Sequence, residues 1–103
     1  MQYRQGDVLL VRVDSLPAGD RKDARGEGQI VLARGEATGH AHTIEDAPPG
    51  TEFVEIGGVC FLILTEAADL VHQEHGTITV PPGTYTVKRQ REYTPEAVRN
   101  VQD

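Results

Sequence analysis

The chain has no tryptophan, one methionine and one cysteine, Cys60. A lone cysteine excludes an internal disulfide and a zinc site built on cysteines. There is no long apolar run either. The longest, "GVCFLIL" at residues 58–64, falls well short of the roughly 18 apolar residues that a membrane span requires. The opening "QYRQGDVLLVRV" lacks the charged-then-apolar layout of a secretory signal. Positive charge is scarce: 10 Lys and Arg against 16 Asp and Glu give a net charge of −6. That balance argues against a general nucleic-acid surface and against an anionic membrane surface, both of which favour a basic face. Ser15 is the only serine, and it lies in a polar stretch with no GxSxG around it. No GxxxxGK[ST] occurs, nor a GxGxxG between a strand and a helix, so phosphate-loop readings have no support. The expected setting is the cytoplasm, with neither nucleic acid nor membrane as a partner.

At 103 residues the chain fits a single domain, 1–103, with one modest core. Hydrophobic residues make up 38% and charged residues 25%, a balance that favours a globular chain over a disordered one. The apolar pattern has a period of two. "DVLLVRVD" reads as a strand with Leu9, Val11 and Val13 on one face. Residues 15–28, charged and rich in glycine, read as a long loop. "QIVLA" and "HAHTI" follow as strands, and "EDAPPG" as a turn. "TEFVEIGGVCFLIL" gives two strands around Gly57-Gly58, a two-residue hairpin signal. "DLVHQEH", "TITV" and the segment after "VPPG" supply the rest. The tail, 93–103, suits a short helix with Thr94 as its cap and Pro95 at the first position. The fold class is therefore all-β: a small antiparallel β-barrel or sandwich with a short C-terminal helix. Unpaired edge strands favour association, so a homodimer is expected. Cys60, in the apolar run, is expected to pack as a small, unreactive hydrophobe.

All four histidines fall into two tight pairs, His40 with His42 and His72 with His75. Residues i and i+2 of a strand share a face roughly 6.6 Å apart, so His40 and His42 can turn their imidazoles to one ion. In a regular strand His72 shares its face with Glu74, whereas a bulge near Gly76 would bring His75 to that side. The candidate metal ligands are His40, His42 and His72, completed by His75 or Glu74. The cofactor is one divalent transition metal, with zinc first and iron or manganese next. Glu45 is the candidate general base, with a ligand or ring-orienting role as its alternatives. The one basic cluster, "KRQREY", places Arg89 and Arg91 on one face. They are candidates to grip the carboxylate or phosphate of a small-molecule substrate, or they pair with the chain's own acids.

Gly39, His40, His42, Glu45 and Gly50 together resemble the first motif of the cupins, which implies a metal-binding barrel. The cupin second motif has a histidine after its Pro-x-Gly turn. Here Pro81, Pro82 and Gly83 have none, and His72 and His75 precede the turn. The order "RQGDVLL", "GEATGHAHTI", "LVHQEHGTITVPPGTYTVKRQREY" also looks like a group of small bacterial proteins without an assigned activity. The expected function is a small metal-binding β-domain, an enzyme if the metal activates water or polarises a carbonyl. The rival is a metal-free interaction module that uses its histidines as a pH-sensitive patch.

Overall fold

The computed structural model describes residues 1–26, 29–34 and 39–89. Among these residues every regular element is a strand. Ten are present: β1 (Gln2–Gln5), β2 (Val8–Val13), β3 (Lys22–Asp23), β4 (Ile30–Arg34), β5 (Ala41–Ile44), β6 (Glu52–Ile56), β7 (Val59–Leu64), β8 (Ala68–Val71), β9 (Ile78–Val80) and β10 (Gly83–Arg89). The tail read as a helix from Thr94 lies outside the described residues.

The strands form two antiparallel sheets, one ordered β1-β2-β10-β7-β6-β3 and the other β4-β5-β8-β9. Neither sheet closes on itself, so of the two all-β arrangements expected, the structure is the open, two-sheet one. Both sheets feed one core. Val8, Leu10, Phe53, Leu62, Leu64 and Tyr85 come from the first, and Ile30, Ile44, Ala68, Leu70 and Val80 from the second. Burying these faces supplies the main drive to fold, at roughly 25 cal/mol per Å² of apolar surface.

Two details differ from the sequence pattern. In β2 the face turned to the shared core carries Val8 and Leu10. Val13, on the other face, packs instead with Leu16 and Ile63 against Val54, Ile56 and Phe61 in a second, smaller cluster. The apolar run of β2 is therefore buried on both sides. The stretch 15–28 is not all loop. Lys22 and Asp23 pair with Glu55 and Val54, and Leu16 helps cover the outer face of the first sheet. Among the described residues no helix is long and apolar enough to cross a membrane.

Candidate functional site

Strand alternation sends polar residues to one end of the space between the sheets. Ile44, in β5, is fully buried in the core, and His42, two residues earlier on the same face, is only 3% exposed. On β10, Tyr85 and Val87 belong to the core, so Arg89 continues that face at the end of the strand. The hairpin joining β1 and β2 turns on Gly6 and Asp7, with Gln5 opposite Val8. Gly6 has φ +59°, as a glycine at the first position of a primed hairpin turn does. The turn sets Gln5, 3% exposed, and Asp7 beside His42.

The second histidine pair arrives differently from the regular strand expected. β8 ends at Val71, and His72–His75 is a tight bend. The bend is closed by His72 Nδ1, which accepts the backbone N–H groups of Glu74 (3.0 Å) and His75 (3.2 Å). The backbone N–H of Ala41 donates to Gln73 Oε1 at 2.9 Å, tying the bend to β5. Freed from alternation, His72 and His75 come to the same side. All four imidazoles then lie in one group. Ring centroids are 4.3 Å apart for His42–His72, 4.6 Å for His72–His75, 5.6 Å for His40–His72 and 6.0 Å for His42–His75. Two imidazoles sharing a tetrahedral ion at Zn–N of 2.0–2.1 Å would have centroids about 5 Å apart. The rings are gathered on that scale. Their donor atoms are not aimed at a common point, and among the described residues no three His, Cys, Asp or Glu side chains are posed to hold a metal ion.

The hydrogen bonds of His42 assign its protons. Gln5 Nε2 donates to the carbonyls of Leu70 (2.8 Å) and Gly76 (2.9 Å), so Gln5 must present Oε1, an acceptor, to His42 Nδ1 at 2.8 Å. Nδ1 therefore carries the proton. The other nitrogen, Nε2, lies 3.1 Å from Asp7 Oδ1. Burial, and next the charge of His72, push His42 below its ordinary range against the pull of Asp7. Asp7 is opposed by burial, but the Arg89 hydrogen bond and charge, its own amide and His42 outweigh that and hold its carboxyl low. His42 Nε2 and the ionised Asp7 carboxylate thus face each other at hydrogen-bond distance, with burial favouring the uncharged ring. Arg89 Nε donates to the far oxygen, Oδ2, at 2.8 Å.

Of the residues singled out in the sequence, His40, His42, His72 and His75 are brought together. Glu74 sits with them: its Oε1 is 3.5 Å from His40 Nδ1, a charge contact rather than a full hydrogen bond. Arg89 joins through Asp7, whereas Arg91 lies outside the described residues. Glu45 is placed elsewhere, in a cavity of about 210 Å³ lined with Asp46, Ala67, Ala68, Asp69 and Val71, and no histidine lines it. Cys60 is half-buried, and burial, with the charge of Glu55, raises its pKa. Gln5 and Asp7 went unread in the sequence. The signal was the pair Gly6-Asp7, a two-residue hairpin link of the Gly-Asp type. It would have placed Asp7 in the turn itself and Gln5 directly before it.

Fold and site together define a small open β-sandwich with a histidine cluster at one end. Residues 4–90 match the family model described as a domain of unknown function, DUF8820, and the chain belongs to that family. No curated protein and no solved structure matches it significantly.

Proposed function

We propose that the domain binds one divalent transition metal at the histidine cluster, with His42 Nε2 and the Asp7 carboxylate as its first ligands. One observation carries the reading: with Gln5 Oε1 on its Nδ1, His42 turns Nε2 to Asp7 Oδ1 at 3.1 Å, setting a ring nitrogen beside a carboxylate oxygen. A cation takes the place that a proton would hold between them. Adjacent ligands of a tetrahedral ion at bond lengths of 2.0–2.1 Å stand about 3.3 Å apart, so a small shift admits it. The surroundings also suit a ligand pair. Gln5 holds the His42 tautomer, and Arg89 takes the outer oxygen of Asp7, as partners of metal ligands commonly do.

The remaining donors come from the other histidines. His75 is the next donor: its ring stacks on that of His42 at 6.0 Å with 12° between the planes, so it has only to turn, with no side-chain hydrogen bond among the described residues to break. His72 has to break its two Nδ1 bonds before Nε2 can lose its proton and ligate, so it enters last. Glu74 fits better as a partner of His40 than as a ligand. A nitrogen-and-carboxylate set suits zinc first, then iron or manganese. A metal with an open position would activate water or polarise a small-molecule substrate.

The test is elemental analysis of protein purified without a histidine tag, followed by zinc titration of chelator-treated protein. The expected result is close to one metal per chain. Protein that neither carries nor takes up zinc, iron, manganese, cobalt, nickel or copper would sink the reading and leave a metal-free interaction domain.

A further inference from the structure

The arginine beside the proposed ligands points to what the site receives. Arg89 is the last residue of β10, paired in register with Val8, next to Asp7. Its guanidinium is fixed by a single bond from Nε to Asp7 Oδ2 at 2.8 Å, and its side chain remains 34% exposed. The two terminal nitrogens make no hydrogen bond to a described residue. A guanidinium pinned at Nε keeps its plane, and its outer N–H groups are then held out as a preset fork for two oxygens. Asp7 Oδ1 contacts His42 at 3.1 Å and Oδ2 contacts Arg89, so one carboxylate separates the fork from the histidines. The whole chain carries a net charge of −6, yet four imidazoles and an arginine gather here. Asp7 and Glu74 stand among them, so the pull on an anion comes from the guanidinium fork and the proposed cation rather than from net local charge.

We infer that the histidine site takes a small molecule carrying an oxyanion group, a carboxylate or a phosphoryl group, gripped by the terminal nitrogens of Arg89 next to the metal position. This deepens the metal reading and rests on it for the second contact, while the arginine contact stands without metal. It also separates the roles of the two charged residues. Asp7 serves the cation, and Arg89 both steadies Asp7 and receives the anion.

The experiment titrates acetate, as a carboxylate source, and methyl phosphate, as a phosphoryl source, into wild-type, Arg89→Gln and Arg89→Lys proteins. Each is measured with chelator and again after saturation with zinc, its occupancy confirmed, so altered metal affinity does not enter the anion constant. Circular dichroism establishes that each variant is folded. The expected result is saturable binding of at least one anion by the wild type. Arg89→Gln should weaken it tenfold or more, with Arg89→Lys in between, because lysine keeps the charge and loses the fork. A preference for acetate or for methyl phosphate identifies the source. Binding that is unchanged in Arg89→Gln overturns the inference and leaves the metal reading intact, as does a zinc-loaded wild type that binds neither anion. If the wild type takes up no metal, the metal reading fails and the metal-free titration decides. Anion binding that depends on Arg89 then upholds the inference, and its absence overturns it.

Discussion

Two hairpins of this chain turn on two residues each and begin on nearly the same backbone. In the first, Gly6-Asp7 joins β1 to β2, with φ +59° at Gly6; in the second, Gly57-Gly58 joins β6 to β7, with φ +60° at Gly57. Their surroundings differ. A Cβ added to Gly6 would stand 2.5 Å from His75 Nε2, whereas one added to Gly57 or Gly58 would meet nothing within 4 Å. One glycine serves only the turn. The other serves the turn and also gives a histidine its place. Two turns that open on nearly the same φ thus carry different meaning according to what the topology sets against them. The Gly6-Asp7 turn faces the bend after β8, and the Gly57-Gly58 turn faces open space.

The sharpest way to break this comparison is to remove the ligands that the first turn assembles. Asp7→Asn and His42→Ala should each lower zinc affinity by well over the roughly 10- to 100-fold typical of changes to outer partners. Glu45→Gln and Gly57→Ala should leave it unchanged. Zinc titration of the four folded variants measures this. Equal affinity for Asp7→Asn and wild type would dissolve the distinction between the two turns and return attention to Glu74.

Next in size is the steric difference. An alanine at either glycine carries the left-handed backbone cost of about 1–2 kcal/mol. At Gly6 the exposed imidazole of His75 must also swing aside, a smaller cost than crowding a packed core carries. Gly6→Ala should therefore be the more destabilising by denaturant titration, and it alone should weaken zinc binding. Equal losses of stability would mean that His75 swings clear without cost.

How much of this was legible in the sequence follows from how local each signal is. The Gly57-Gly58 hairpin was readable because its two glycines and flanking β-branched residues sit side by side. The convergence of His40 and His42 was readable for the same reason: alternation is a rule over three residues. The position of His75 was not. It depends on His72 accepting two backbone N–H groups, a bond pattern that no periodicity encodes. Asp7 stayed hidden because its meaning comes from His42, 35 residues away, and from Arg89, 82 residues away. Glu45 looked like a partner because it follows His42 closely, yet i+3 in a strand faces the other way. The end of β5 carries it to the cavity with Asp46 and Asp69.

A smaller effect separates the turns by pH. In chelator-treated protein, His42 and His72 are both held below their ordinary pKa of 6.5, burial being the first cause in each. The unfolded chain therefore takes up protons first as pH falls, and stability should decline below about pH 6.5 and hold steady above it. Asp7, also held low, adds a second decline only below its ordinary 3.8. Each histidine contributes at most about 1.4 kcal/mol per pH unit. Denaturation of wild type and His42→Gln between pH 5 and 8 checks this. The variant should show the shallower slope, and Gly57→Ala should keep the wild-type slope. An equal slope in His42→Gln would mean that His42 is already charged, with its second proton on Nε2 donated to Asp7, and the neutral-ring reading would fail.

The smallest expected change isolates the contact from the turn. Asparagine tolerates the left-handed region better than other residues with a Cβ, because its short amide bonds locally. Asn-Gly is also a favoured pair in two-residue hairpins. Gly57→Asn should therefore change stability by less than about 0.5 kcal/mol, the usual range for a surface substitution away from special features. Gly6→Asn falls in a turn of the other primed type, because Gly58 also has positive φ and Asp7 does not, and it brings a Cβ against His75 as well. The stability difference between the two variants therefore combines turn type with the imidazole contact, and zinc binding is the readout that singles out the contact. Zinc titration of the same two variants then asks whether that contact matters to the site. Gly57→Asn should bind as wild type does, and Gly6→Asn should bind more weakly. Should both bind alike, His75 reaches the metal position without help from Gly6, and only Asp7 ties the first turn to the site.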